Sequence, residues 1–497
     1  MGEFRLAAAV VLVRPRQPRG DSEILLVRRS NKLRFLGGYD VFPGGRLDDG
    51  DGDSPCDASF ADAALRGTAL RELFEETGVL AAHGSERLDR DALLTLRRGV
   101  LSHPHDWAAS LRALGLSLFA SQLTPLGRWL TPAYSSVRYD AHYYALELPA
   151  GAEASIWEGE LTECRWATAS DALARHRAGE LALSYPTLLT LRALDEHGLD
   201  LARTEQALAH EGAGGEPRAF GEMAHGVWLV PGRSDTLPPA THTNTYVLGG
   251  EELVVVDPGT PFADEQQTLI AFLEARLAEG RRLREIWLTH DHVDHVGAIA
   301  ALQRRFAVPL ATHARARPPA GVRAARHIVD NEETTLALGD GLVARWRALY
   351  TPGHSPDHLC FYEPTRRLLL SGDLVLGTGT VIIAPPGGHM QTYLDSLTRI
   401  LALPMRFIFA GHGPPVAATQ QRVRAYLEHR AEREHAIVTA LTKRPAGATP
   451  EDLVPEVYID VPAAVRRFAA SNVLAHLEKL CDDGQVNLRD GRFRLRG

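Results

Sequence analysis

Cysteine is scarce in this chain: four residues in 497, Cys56, Cys164, Cys360 and Cys481, lie far apart and form no C-x-x-C pair. They read as ordinary thiols of a reducing compartment, which excludes a disulfide framework. Long apolar runs are missing as well, and none approaches the ~18 residues that span a bilayer, so no membrane partner is expected. Positive charge is not in excess either. A formal net charge of -8 excludes a chain built wholly to coat nucleic acid, while leaving room for a local basic surface. Near the start, Arg5 and the apolar residues 6–13 mimic a short signal peptide, but no small-x-small cleavage site follows and Arg14 and Arg16 close the run. A buried β-strand is therefore expected there. Leu6 stands where a myristoylated N-terminus needs Ser or Thr. There is no internal repeat and no low-complexity tract, and together these absences predict a cytoplasmic protein.

What is present divides into segments. At roughly 150 residues per domain the length predicts about three domains, ample for ordinary cores. Residues 1–205 open with β-rich runs (7–13 and 23–27) and hold one strong helical pattern at Ala63–Thr77. Residues 206–221 are expected to be a linker, because 211–218 are rich in Gly and Pro. In residues 222–417, apolar strands such as 253–256, 286–288 and 368–370 alternate with helical patterns, and each runs into a polar loop carrying His or Asp. That is how α/β enzymes deliver ligands, on loops at the ends of rigid strands. In residues 418–497 a helix over 420–441 with Thr419 as N-cap, two shorter helices and a hairpin on Asp490-Gly491 outline a winged helix.

The helix at Ala63–Thr77 carries Glu72, Glu75 and Glu76 at i, i+3 and i+4, so the three carboxylates share one face. Such a cluster needs positive charge among it, and a hard divalent ion such as Mg²⁺ or Mn²⁺ supplies it. Upstream, Phe42-Pro43-Gly44-Gly45 makes a tight turn, and downstream the helix ends at Gly78-Val79. The stretch Gly45 to Val79, with Arg71-Glu72 and Glu75-Glu76, resembles the Nudix hydrolase box. It departs in having Asp51 where the box has its first Glu, and about twelve extra residues within 52–66. Residues 25–45, including Arg29, Arg34, Gly44 and Gly45, resemble the added motif of coenzyme A diphosphatases, with Val27 in place of Thr. Arg138-Tyr139-Asp140, residues 129–132 and residues 184–187 resemble the peroxisomal branch of that group. The resemblance covers most of residues 5–195. It implies an α/β/α sandwich in which Glu72, Glu75 and Glu76 hold Mg²⁺ or Mn²⁺, and Glu75 and Glu160, or Glu163, are candidates for the catalytic carboxylate. Arg29, Arg34, Gly44, Gly45 and Arg71 would then meet a diphosphate substrate such as CoA or acyl-CoA.

The second cluster is denser. His290, His292, Asp294 and His295 fall within six residues after the apolar strand 286–288, and Asp257, His354, Asp373 and His412 each follow an apolar run or sit in a glycine turn. This series resembles the metallo-β-lactamase superfamily over about residues 222–415, an αβ/βα sandwich. The resemblance implies that His290, His292 and His354 bind one metal and Asp294, His295 and His412 a second, with Asp373 bridging and Asp257 orienting the loop from behind. Imidazole-rich ligation favours two Zn²⁺, with Mn²⁺ or Fe as alternatives. His358 is a candidate either for supporting a ligand from behind or for handling protons beside Asp294.

Residues 371–397 and 475–480 resemble the lactamase-like endoribonucleases, which makes single-stranded RNA an alternative partner. The tail supports this little: residues 421–497 hold 13 Lys and Arg against 11 Asp and Glu, a net of +2, although Arg489, Arg492, Arg494 and Arg496 crowd the hairpin. The reading favoured by sequence is a multidomain α/β protein acting as a bifunctional hydrolase. One site is a diphosphatase for CoA or acyl-CoA, and the other is a dinuclear centre for an ester, thioester or phosphodiester. A nucleic-acid-binding regulator without catalysis is the non-enzyme alternative, and the complete ligand sets argue against it.

Overall fold

The computed structural model describes residues 4–15, 22–33, 35–132, 135, 137–157, 159–210, 220–459 and 466–496. The chain forms two compact units, Met1–His225 and Gly226–Gly497. Residues 211–218, the core of the expected linker, lie outside the described residues. The helix Leu201–His210 takes in the start of the expected linker and ends just before the Gly- and Pro-rich stretch 211–218.

The apolar run behind Arg5 is the central strand Arg5–Arg14 of the first unit. It pairs antiparallel with Glu23–Arg29 on one side and parallel with Tyr139–Glu147 on the other, and Gly44–Arg46 adds a short antiparallel pairing. Because both faces of this strand are covered, it reads as a continuous apolar run rather than an alternation. Ala8, Val10 and Leu12 pack against Leu70, Leu73 and Phe74 of the helix Ala63–Thr77 and against Trp107, whose ring stacks on Phe74 at 5.6 Å. Val11 and Val13 face Leu188, Leu191 and Leu194 of the helix Tyr185–His197. This is the expected α/β/α sandwich. The helix Ala63–Thr77 stops at Gly78, whose φ of 72° suits a residue without Cβ.

The second unit has two sheets. In one, strands Val227–Arg233, His242–Gly249 and Glu252–Val256 pair antiparallel, and Arg282–Trp287, Leu310–Thr312 and Ala324–His327 continue in parallel. The other runs in the order Glu333–Gly339, Leu342–Tyr350, Leu359–Glu363, Leu368–Gly372 and Phe407–Ala410. Trp287 of the first sheet stacks on Phe361 of the second at 4.9 Å, and Tyr246 meets Phe409 at 5.9 Å, so aromatic rings fill the space between them. The five loops carrying Asp257, His290–His295, His354, Asp373 and His412 all follow strands of these two sheets.

After Phe407–Ala410 come the helices Thr419–Thr442, Pro450–Val457 and Arg466–Asp482 and the hairpin Val486–Arg489 with Arg492–Leu495. The expected cap is corrected: Thr419 lies inside its helix, where Ala418 is the N-cap, and its hydroxyl donates to the Met405 carbonyl at 2.9 Å. A capping box does form one helix later, between Thr449 and Asp452. The hairpin turns on Asp490 and Gly491 with φ of 53° and 72°, the two left-handed residues of a type I′ turn. Val473, Leu477, Leu480, Val486 and Phe493 form the core of this tail. Among the described residues, no helix is long and apolar enough to cross a membrane.

Leu477 is fully buried in that core. Leu477→Ala is expected to remove about 2–5 kcal/mol of stability. Urea denaturation followed by circular dichroism measures it, and an unchanged midpoint would contradict this packing.

Candidate active sites

In the first unit, Arg71 organises the carboxylates. It is buried, and all five of its donors are used: Nε and Nη2 on Asp51 at 2.7 and 3.0 Å, Nη1 on Glu72 at 2.9 Å and Glu75 at 2.8 Å, and Nη2 also on the Arg46 carbonyl at 3.0 Å. Arg71 therefore has no donor left for a substrate, and its place corrects the expectation that it binds one. Asp51 also accepts from Thr68 Oγ1 at 2.7 Å and from the Asp48 amide at 2.9 Å. The residue that departs from the Nudix pattern thus serves as Arg71's counter-charge.

Gly44 and Gly45 bring backbone against the same carboxylates. The Gly44 amide donates to Glu76 at 2.9 Å, and a Cβ on Gly45 would lie 2.4 Å from the Glu72 carboxyl carbon. Burial pushes the Glu72 carboxyl up to about 7, with Arg71 opposing and Glu75 adding to the rise. Burial and the charge of Glu72 push Glu76 up to about 8. Burial likewise raises Glu75. Groups that resist ionising until a cation arrives suit a hard divalent ion. The three do not converge as closely as the second unit's ligands do, since none of the groups of three donors within 4.8 Å of one another among the described residues includes them.

Arg29 and Glu160 lie close enough to Glu76 to shift it, in opposite senses. Arg29 donates Nε to the Phe35 carbonyl at 3.3 Å. Glu163 is tied into ion pairs with Arg28 and Arg165, which leaves Glu160 as the freer carboxylate. Arg34 lies outside the described residues. One residue the sequence did not single out is Arg97. It donates to the carbonyls of Glu75 at 2.9 Å, Glu76 at 2.8 Å and Ser155 at 3.0 Å, fixing the C-terminal end of the carboxylate helix.

In the second unit, three overlapping groups of donors gather within 4.8 Å: His290, His292 and His354; His290, His295 and Asp373; and Asp294, His295 and His412. All seven ligand-type residues expected from sequence are brought together. His292 Nδ1 lies 3.0 Å from His354 Nε2, His412 Nε2 lies 3.3 Å from Asp294 and 3.4 Å from Asp373, and His295 Nε2 lies 3.4 Å from Asp373. Tetrahedral ligation at about 2.0–2.1 Å sets neighbouring donors roughly 3.3 Å apart. The spacing therefore fits one ion in each outer group with Asp373 between. His290 Nε2, His295 Nε2 and Asp373 Oδ1 are buried with no hydrogen-bond partner, as ligand atoms are without their ion.

The far side of four of the five rings is fixed, those of His290, His295, His354 and His412. His354 Nδ1 donates to the Ile382 carbonyl and His412 Nδ1 to the His242 carbonyl. Thr289 Oγ1 donates to Asp257 at 2.6 Å and so accepts from His290 Nδ1 at 3.0 Å. Asp257 also takes His295 Nδ1 at 2.9 Å and the Thr289 amide at 2.8 Å. Burial disfavours charge throughout, yet His412 and His295 pull Asp294 down to about 2. Asp373 and Asp294 in turn hold His412 up at about 10 despite burial.

Of the two roles open to His358, its surroundings suit the supporting one. It is fully buried, its Nε2 accepts the Asp373 amide at 3.1 Å and its Nδ1 meets Thr351 Oγ1 at 3.0 Å. Both nitrogens are occupied, so it positions the Asp373 loop rather than exchanging protons in the site. Asn244, which carries no signal in the sequence, holds the His412 loop by donating to the carbonyls of Ala410 and Gly413 at 2.9 and 2.8 Å.

Two substitutions test these anchors. Asp257→Ala is expected to weaken binding of one metal equivalent about 10–100-fold, read by isothermal titration with Zn²⁺; unchanged affinities would refute the orienting role. Asp51→Ala leaves two buried donors of Arg71 without an acceptor, while Glu72 and Glu75 still balance its charge, and is expected to cost about 1–3 kcal/mol, read by denaturation, where an unchanged midpoint would contradict it.

The matches to known proteins follow this division. The model of the metallo-beta-lactamase superfamily matches residues 238–412, and that of the beta-lactamase associated winged helix domain residues 449–492. The NUDIX domain matches residues 3–95 and the NUDT19 Nudix domain residues 52–194. A beta-lactamase-like protein 2 homolog of Caenorhabditis elegans is 35% identical over 250 residues, covering 49% of this chain and 80% of that protein. An atrochrysone carboxyl ACP thioesterase of Aspergillus fumigatus is 33% identical over 264 residues, covering 50% and 78%. A crystal structure of a NUDIX hydrolase from Alicyclobacillus acidocaldarius, 32% identical, covers 41% of this chain and 97% of its own, with a TM-score of 0.37. This chain is a hydrolase that belongs to the metallo-β-lactamase superfamily, with a Nudix domain before that fold and a winged helix after it.

Proposed function

We propose that the chain takes an acyl-CoA apart at two bonds. The second unit hydrolyses the thioester and the Nudix domain hydrolyses the diphosphate. The observation that carries the first half is the likeness to a thioesterase over 264 residues. An acyl carrier protein presents its acyl group on a phosphopantetheine arm, and CoA carries the same arm.

The rim of the second site suits such a substrate. Arg315 donates to Tyr350 Oη at 3.0 Å, and Tyr350 Oη in turn donates to the Pro356 carbonyl, two residues beyond His354. The Arg317 amide donates to Asp291, between His290 and His292. Two arginines thus stand beside the ligand loops. A phosphate-bearing arm would meet them there.

Bound divalent ions, Zn²⁺ in the second unit with Mn²⁺ or Fe as alternatives and Mg²⁺ or Mn²⁺ in the first, would supply a hydroxide near neutral pH and positive charge for the developing oxyanion. The protein's own part is orientation. Asp257, Thr289 and the carbonyls of Ile382 and His242 keep the imidazoles of His295, His290, His354 and His412 turned into the site. In the first unit, Arg71 and Gly44 hold the glutamates, and Glu160 stands as the carboxylate for the attacking water, with Arg29 beside Glu76. Thioester cleavage breaks C–S and leaves a thiol and a carboxylic acid. Diphosphate cleavage breaks P–O and leaves adenosine 3′,5′-bisphosphate and acyl-phosphopantetheine.

The hairpin arginines lend RNA less support than their number suggests. Arg492 is held by Asp452 and the Gly447 carbonyl, Arg494 by the Ala446 carbonyl and Arg496 by Asn487.

With palmitoyl-CoA and Mg²⁺ and Zn²⁺ present, the wild type is expected to release both free thiol and adenosine 3′,5′-bisphosphate. Asp294→Ala should abolish only the thiol and Glu75→Ala only the bisphosphate. Thiol release that survives Asp294→Ala would refute the thioesterase assignment, and cleavage of labelled single-stranded RNA that is lost in His290→Ala would replace it.

A further inference from the structure

His354 hangs on a strap with no secondary structure of its own. Residues 373–389 contain neither helix nor strand, so their backbone groups must find partners elsewhere. The middle of the strap is held at three consecutive residues. The Val381 carbonyl accepts from Arg430 Nη2, the Ile382 carbonyl accepts His354 Nδ1 at 2.9 Å, and the Ile383 amide donates to Asn472 Oδ1 at 2.9 Å.

The two outer anchors come from the tail. Arg430 lies in the helix Thr419–Thr442, and Asn472 in the helix Arg466–Asp482 of the winged helix. They are joined, since Arg430 Nη1 reaches Asn472 Oδ1 at 3.4 Å. Arg430 is 1% exposed with its guanidinium over the Tyr393 ring, and Asn472 is 7% exposed. Neither is placed to meet solvent or a partner. The same long helix also holds the Gly379 carbonyl through Arg422 at 2.9 Å and Tyr426 Oη at 3.1 Å. On the other side of His354, Gly353 leaves no room for a Cβ, which would fall 2.3 Å from Tyr393, and its carbonyl accepts the His389 amide at 2.8 Å.

We propose that the winged helix is a built-in part of the metal centre, with Asn472 and Arg430 as positioning residues that hold the Ile382 carbonyl where it turns His354 Nε2 into the site. A buried Asn or Arg is costly unless its polar atoms are used. Here Arg430 Nη2 and Asn472 Oδ1 are used on the strap that orients a ligand, and Asn472 Nδ2 on the Phe468 carbonyl of its own helix, not on a nucleic-acid surface. The tail's charge near neutrality and its internally paired arginines agree with an inward role. The inference rests on reading His290, His292 and His354 as one metal-binding group.

The test titrates the metal-free full chain with Co²⁺, following visible absorption and the number of equivalents bound. Asn472→Leu removes the acceptor at similar volume and is expected to weaken one of two equivalents about 10–100-fold, the range for partners that orient a ligand. Asn472→Asp keeps an acceptor for Ile383 and Arg430 and should stay within about threefold of wild type. Leu477→Ala lies in the same helix without a bond to the strap and should leave both equivalents unchanged while lowering thermal stability. If Asn472→Leu does not fold, Asn472→Ala carries the same comparison. Two wild-type equivalents retained in Asn472→Leu or Asn472→Ala, or lost equally in Leu477→Ala, would overturn the inference. A wild type that binds no Co²⁺ would instead overturn the metal-site reading beneath it.

Discussion

Like charges and lone pairs gathered in a buried space repel, and only a counter-charge at close range makes the gathering tolerable. Both units are arranged around that constraint. In the first, one guanidinium spends every donor on holding Asp51, Glu72 and Glu75 and the Arg46 backbone in register. In the second, Asp257 lies beneath the ligand loop, with a φ of 50° that places it in the left-handed region. A non-glycine residue there costs about 1–3 kcal/mol and persists when its surroundings over-determine it. Three hydrogen bonds to Thr289 and His295 do so.

Much of this was legible in the sequence because ligands come as side chains of fixed type at fixed spacing. The His290–His295 run, Asp257, His354, Asp373 and His412 are all found where strands end, and the helix Ala63–Thr77 has the expected bounds. Less legible were residues whose work passes through backbone atoms. Asn244, Arg97, Arg430 and Asn472 bond to carbonyls and amides of distant segments, and no local pattern announces which Asn or Arg will do that. Two residues are harder to read for a related reason. Arg71 and His358 are chemically capable of touching substrate, and only their neighbours reveal that every donor or ring nitrogen is already spent. Thr419 shows the same effect at a helix end, where a tertiary acceptor, the Met405 carbonyl, takes the hydroxyl that local preference assigns to a cap.

The tail also shows how a small domain can be misread from outline alone. A winged helix with arginines on its hairpin suggests nucleic acid, yet Arg430 and Asn472 bond to Val381 and Ile383 beside the ligand loops, and three of the hairpin arginines close contacts within the tail. What a domain touches constrains its role more tightly than what its fold resembles.

The central strand of the first unit also shapes the order of events during synthesis. Arg5–Arg14 emerges early and can pair locally with Glu23–Arg29 and Gly44–Arg46, but its other edge belongs to Tyr139–Glu147, more than a hundred residues later. Until that strand leaves the ribosome, an almost wholly apolar segment keeps one row of unpaired amides and carbonyls in water. Such an edge is the kind that recruits foreign strands. The long insertion ahead of the carboxylate helix and the helices after it lengthen that wait. The nascent chain thus carries an open apolar edge from Arg5–Arg14 until Tyr139–Glu147 has been made, and the helix Ala63–Thr77 is complete before the sheet it rests on.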